Sequence, residues 1–231
     1  MSEKGPPQPE KPSNTGGSFV KVAMLAGILG IAVGAGLYAF SGQIGNVENQ
    51  GDTGAQSAGA SCPVDQNLRT ALDAAAIGHM VAFKALDRPA LVSDLSFRND
   101  KDEPRSLADW QGKIVLFNLW ATWCAPCRAE MPALDKLQAD LGGEDFEVVP
   151  VSVDLGSAEK PKNFYREIGM VNAGFFHDGE MTTFNQLKRE GMAFGLPATL
   201  LISRKGCVLG TLNGPAEWAG DAAKALVKSA M

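Results

Sequence analysis

The stretch Ile114-Val115-Leu116-Phe117-Asn118-Leu119-Trp120-Ala121-Thr122-Trp123-Cys124-Ala125-Pro126-Cys127 decides how this chain is read. Its first half is a near-continuous apolar run, as expected of a central strand covered on both faces. Its second half sets two cysteines two residues apart where that strand gives way to a helical pattern, Arg128 to Leu141. Met131, Leu134, Leu137 and Leu141 share one face of that helix, and Pro132 should bend it. A sulfur at a helix N-terminus meets free N–H groups and the positive end of the macrodipole, and both favour a thiolate. The thiolate is the species that attacks disulfides, so this pair reads as a dithiol that opens and closes. A zinc half-site needs four ligands in all, and no second close Cys or His pair accompanies it.

The pattern continues downstream. Phe146–Val153 is a second strand, rich in β-branched residues, and 158–168 a helix with Phe164, Tyr165 and Ile168 inward. Thr183–Lys188 reads as a short helix. Ala198–Ile202 and Cys207–Leu212 flank Ser203-Arg204-Lys205-Gly206, a hairpin signal. Pro215 suits the first turn of a final helix lined by Trp218, Ala222 and Leu226. Upstream, 65–76 has a helical face at Leu68, Ala71, Leu72 and Ala75. Strand-like pieces between His79 and Arg105 are broken by Pro89 and the polar turn Asn99–Glu103, and Leu107–Trp110 looks like a helical turn. The order β-α-β-α-β-β-α predicts an α/β domain with a mixed sheet and helices on both faces.

The N-terminal part differs in kind. Val22–Phe40 carries no charge and is close to the ~20 residues that cross a bilayer. Lys4, Lys11 and Lys21 precede it, and no Lys or Arg follows until Arg69. The positive-inside rule then puts the N-terminus in the cytoplasm and the rest across the membrane. The organisation expected is a cytoplasmic disordered segment over 1–21, a transmembrane anchor over 22–40, a flexible linker over 41–61 and a folded domain over 62–231. A cleaved signal peptide is the rival, but its apolar region is ordinarily shorter. The 231 residues carry a net charge of −5, which gives no reason to invoke nucleic acid. His79 and His177 lie far apart and read as loop or surface residues.

Taken together, these features resemble the thioredoxin fold over roughly 80–231. They are a Trp-Cys-x-x-Cys after an apolar strand, Pro132 in the next helix and Pro197 before a strand and hairpin. Residues Asn118 to Pro132 resemble, more narrowly, the TlpA family of membrane-anchored thioredoxin-like proteins. The resemblance implies a thiol-disulfide oxidoreductase that uses no cofactor beyond its own redox-active disulfide and no metal. Cys124 would be the nucleophile and Cys127 the resolving cysteine. Glu130 would act as an acid or base, or tune the dithiol. Pro197, after Leu196, would be cis beside the dithiol, and Trp123 would shape the surface around Cys124. Thioredoxin's buried Asp six residues before the first cysteine is here Asn118. The bland reading of Glu130 is a solvated helix residue paired with Arg128 or Lys136.

The family also implies a single-pass protein of the inner membrane with its domain in the periplasm. It would draw electrons from a membrane thiol transporter and reduce extracytoplasmic protein disulfides in cytochrome oxidase copper-centre assembly or cytochrome c maturation. Beyond the membrane unpaired thiols tend to be oxidised, so Cys62 and Cys207 are expected to form a structural disulfide pinning the N-terminal helix to the sheet. Free thiols or links to another chain are the alternatives. Other functions on the same fold are a Sco-like copper chaperone, a thiol peroxidase and a disulfide-forming oxidant. The Sco-like reading would want a wider cysteine spacing and a downstream His, and only His177 is available.

Overall fold

The computed structural model describes residues 62–63 and 65–231. The expected anchor Val22–Phe40, the segment before it and the linker over 41–61 all lie outside them. Among the described residues no helix is long and apolar enough to cross a membrane. Helix α1 (Gln66–Ala75) opens the domain, its first N–H groups capped by the Asp65 carboxylate. Then follow β1 (Lys84–Leu91), β2 (Ser96–Asn99), β3 (Pro104–Ser106), β4 (Ile114–Trp120), α2 (Ala125–Leu141), β5 (Phe146–Ser152), α3 (Glu159–Glu167), β6 (Phe176–His177), α4 (Thr182–Arg189), β7 (Ala198–Ile202), β8 (Cys207–Asn213) and α5 (Asp221–Ala230). The strands form one mixed sheet in the order β1-β8-β7-β4-β5-β6-β2-β3.

β4 is the axis of this sheet, and every one of its residues is buried. It runs parallel to β5 and antiparallel to β7, with Asn118 opposite Pro150 on one side and Thr199 on the other. The near-continuous apolar run noted in the sequence thus suits a strand that meets no water on either face. β7 and β8 make the expected hairpin. Pro89 does not end β1. That strand lies at the sheet's edge, and its pairing with β8 shifts register between Ala85 and Ala90, so the missing N–H breaks no regular ladder.

Three expectations need correction. The final helix does not start at Pro215. It starts at Asp221, and residues 214–220 form a loop that carries Trp218 into the core, fully buried. The inner face of α5 is Ala223, Leu226 and Val227, with Ala222 only half-buried. His177 is not a surface residue. It lies in β6, a strand too short to announce itself by periodicity, and is buried with Nε2 2.8 Å from the Asp154 carbonyl oxygen.

One carboxylate ties helix to loop on the far side of α2. Asp135 accepts the backbone N–H groups of Val171, Asn172 and Ala173 and the Asn172 amide. Burial alone would raise its pKa, but these four hydrogen bonds outweigh it and hold the group below the usual range.

Cys62 is disulfide-bonded to Cys207, with Cα atoms 5.7 Å apart and a sequence separation of 145. Cys207 lies opposite Leu91, beyond the Val208–Ile202 and Ile202–Val115 pairs, so the bond sits at the end of the sheet where β4 begins. Closing so long a loop removes denatured-state freedom worth at most about 5 kcal/mol by chain entropy, commonly less in practice. The double change Cys62→Ala and Cys207→Ala is therefore expected to lower unfolding free energy by about 2–5 kcal/mol in urea titrations while leaving Cys124 and Cys127 able to pair.

Candidate functional site

The site is built where β4 runs out. After Trp120 the chain turns through Ala121–Trp123 into α2, and Cys124 is the N-cap of that helix. Cys124 N–H donates to the Ala121 carbonyl, Arg128 N–H to the Cys124 carbonyl, and Cys127 N–H to the Cys124 sulfur at 3.3 Å. The sulfur thus receives one of the helix's otherwise unpaired donors, the arrangement that stabilises negative charge on it. Cys124 and Cys127 are joined in a disulfide, Cα to Cα 5.3 Å. Cys124 retains 6% exposure and Cys127 none, so an outside sulfur can approach only Cys124.

The turn before Cys124 is clamped from β5. The Asp154 carboxylate accepts the Thr122 N–H at 2.8 Å, the Thr122 hydroxyl and the Ser152 hydroxyl at 2.9 Å. Nothing in the sequence marks Asp154 as part of the site. It lies beyond the second strand run, and only the parallel pairing of β4 with β5 brings it beside Thr122. Trp120 is fully buried, stacked at 5.6 Å on Tyr165, whereas Trp123 is 61% exposed. Pro197 follows a cis peptide bond from Leu196 and precedes the Ala198–Leu119 pair, which puts it at the same end of the sheet as the dithiol. A groove of about 470 Å³ opens beside the turn, lined by Thr122, Arg128, Glu159, Lys160 and Phe164 among others. Arg128 lies over the Phe164 ring, 4.9 Å from its centroid, and Lys136 pairs with Asp140, so neither is Glu130's partner.

Glu130 sits one helical turn beyond Cys127 and is buried at 4% exposure. Oε1 accepts from Asn118 Nδ2 at 3.0 Å. Oε2 accepts from the Ala216 N–H at 3.0 Å and the Trp218 indole N–H at 3.2 Å. Burial pushes its pKa up from 4.5 to about 7, against the downward pull of the hydrogen bonds from Ala216, Asn118 and Trp218. A group at that value can hold or release a proton near neutrality. The sequence could not have named Trp218 or Ala216 as partners, because the apolar spacing of their segment imitates a helix. Among the described residues no cluster of three or more His, Cys, Asp or Glu side chains could hold a metal ion.

The AhpC/TSA family profile matches residues 89–210. The chain is 36% identical over 127 residues to the thiol-disulfide oxidoreductase ResA of Geobacillus thermodenitrificans, covering 54% of this chain and 65% of that protein. It is 34% identical over 112 residues to the thiol:disulfide interchange protein DsbE of Escherichia coli K12, covering 47% and 55%. The chain thus spans less than two thirds of the length of either relative. Its fold is similar to that of a thioredoxin-family thiol:disulfide interchange protein from Chlorobium tepidum, with a TM-score of 0.53 at 26% identity over 63% of this chain and 99% of that one.

Glu130 links stability to pH. Its folded value of about 7 stands above 4.5, so the folded state keeps a proton that the unfolded chain has already released. This stabilisation is fully present below about 4.5 and is lost as pH rises through about 7. Between about pH 5 and about pH 8 the oxidised protein should lose on the order of 3 kcal/mol from this group, and Glu130→Gln should remove most of that slope in urea midpoints.

Proposed function

The chain belongs to the AhpC/TSA family, and on that premise we propose that it is a thiol-disulfide oxidoreductase working through Cys124 and Cys127. The single observation that carries this reading is the pairing of a just-exposed Cys124 sulfur, capping α2, with a buried Cys127 one turn inward.

The chemistry follows from that asymmetry. In the reduced protein the Cys124 thiolate attacks a partner disulfide. One partner sulfur leaves as thiolate and takes up a proton, and a mixed disulfide remains. Cys127 gives up its proton and attacks the Cys124 sulfur. The second partner sulfur leaves, and Cys124–Cys127 is oxidised while the partner has gained two electrons. Glu130, one turn beyond Cys127 and titrating near neutrality, is suited to take the Cys127 proton in this step. A dithiol donor returns the two electrons by the reverse exchange.

The physiological setting belongs to the same proposal. Residues 1–21 lie in the cytoplasm, 22–40 anchor the chain in the inner membrane, 41–61 form a linker, and 62–231 carry the dithiol in the periplasm. The uncharged stretch Val22–Phe40 behind three lysines supports this, as does the Cys62–Cys207 disulfide, a bond of oxidising compartments. That disulfide lies at the end of the sheet opposite the dithiol. The reading assigns Pro197 a place beside the dithiol and Trp123 a place in the surface that meets a partner. The exposed rings of Trp123 and Phe194 and the side chain of Leu155, on three loops at this end, suit a protein substrate. The direction is reduction. The donor is a membrane thiol transporter and the substrates are proteins of cytochrome oxidase copper-centre assembly or cytochrome c maturation.

Trapping tests it. Cys127→Ser should accumulate mixed disulfides on Cys124 that dithiothreitol releases, and Cys124→Ser should form none. Alkylation of Cys124 at neutral pH no faster than that of a free cysteine would overturn the reading.

A further inference from the structure

The buried carboxyl of Glu130 has three hydrogen-bond partners among the described residues, and each gives it an N–H. Asn118 Nδ2 points at Oε1, and Ala216 N and Trp218 Nε1 point at Oε2. An ionised carboxylate suits such a site. A protonated one does not, since its new O–H needs an oxygen to donate to. The backbone N–H of Ala216 and the indole N–H of Trp218 cannot reverse polarity, so neither can receive the proton's hydrogen bond. Asn118 can, because its amide carries an acceptor as well as a donor. That acceptor, Oδ1, is buried and has no hydrogen-bond partner among the described residues. The same amide also donates from Nδ2 to Thr199 Oγ1 at 2.9 Å, and a hydroxyl donates as readily as it accepts.

We propose that Asn118 is a proton-coupled rotor for Glu130: when a proton adds to Oε1, the amide turns over and Oδ1 accepts hydrogen bonds from both the Glu130 O–H and the Thr199 hydroxyl. No electron moves and no heavy-atom bond breaks; one O–H forms on Oε1, and the hydrogen bonds that join Asn118 to Glu130 and to Thr199 reverse direction. Each orientation leaves one end of the amide without a partner, Oδ1 when Glu130 is ionised and Nδ2 when it is not. The two orientations therefore differ chiefly in how they meet Glu130, and the proton selects between them. Burial brings that choice to about neutral pH. Asn118 is thereby a positioning residue. Its rotation reaches Thr199, two residues past the cis Leu196–Pro197 bond.

Glu130's hydrogen-bond partners are Asn118 from β4 and the Ala216 backbone and Trp218 from the loop before α5; Cys127, one turn earlier on its own helix, is held in the disulfide. None of Glu130's hydrogen-bond partners carries a formal charge. Glu217 stands between Ala216 and Trp218 in sequence and is exposed. Use of the proton in thiol exchange rests on the function proposed above, whereas the rotation of the amide does not.

The test is NMR on the oxidised full chain in detergent, with 15N in asparagine and 13C in glutamate. The nuclear Overhauser signal between the Asn118 side-chain NH2 and Thr199 should be present at high pH and disappear along the same curve as the Glu130 carboxyl titrates. In Glu130→Gln, which can present a donor to Asn118 at every pH, the signal should be absent throughout. A signal that persists through the Glu130 titration would falsify the rotor, as would a Glu130 that does not titrate between about pH 5 and about pH 9. Should Glu130→Gln fail to fold, the wild-type titration decides alone. If Cys127→Ser traps nothing while the Overhauser signal follows the titration, the exchange reading sinks and the rotor stands. Successful trapping with a signal that ignores pH does the reverse.

Discussion

β4 is buried along its whole length and must still end in a turn whose polar backbone is satisfied. The end of the domain that carries the Cys124–Cys127 disulfide follows from that requirement. The Asp154 carboxylate takes the Thr122 N–H and hydroxyl, and the Cys124 sulfur takes the Cys127 N–H. The helix that starts there brings one of its first donors to a sulfur rather than to water. A cysteine placed by this turn has an environment that favours its anion, before any partner is considered.

The second consequence lies on the inner side of the same helix. α2 packs against β5, and one turn beyond Cys127 it presents Glu130 to the core. A buried acid is tolerated only with hydrogen bonds, and it draws them from two separate elements: Asn118 on β4, and Ala216 and Trp218 on the loop before α5. That demand explains why the loop stays a loop. Trp218 gives its indole N–H to Glu130 and its ring to the core, so helix α5 begins only at Asp221. The same carboxyl therefore ties α2 to β4 and to the loop before α5, and burial pushes its pKa up to about 7.

The molecule is also polar in the geometric sense. The Cys62–Cys207 bond closes one end of the sheet and the Cys124–Cys127 bond occupies the other. The first lies where the chain enters the domain and restrains it through a long covalent loop. The second caps a helix and keeps one sulfur at the surface. Two disulfides of one chain thus differ in setting: one closes a long loop, and the other caps a helix with one sulfur just exposed.

Much of this was legible in the residues themselves. The apolar run Ile114–Leu119, the Cys-x-x-Cys behind it and the helical spacing of Met131, Leu134 and Leu137 determined a central strand, a dithiol and a helix, because each depends on neighbours a few positions away. The hairpin around Ser203–Gly206 was local for the same reason. The strand β6, the buried setting of His177, the Asp154 clamp and the loop at 214–220 were not legible. They depend on pairs such as Thr122 with Asp154 and Glu130 with Trp218, which are distant in sequence and meet only when the sheet closes. Sequence alone set the chemistry of the two sulfurs. The tertiary structure decided which carboxylate of the helix is buried and what it bonds to, since desolvation and hydrogen-bond geometry are properties of the packed interior and not of the chain.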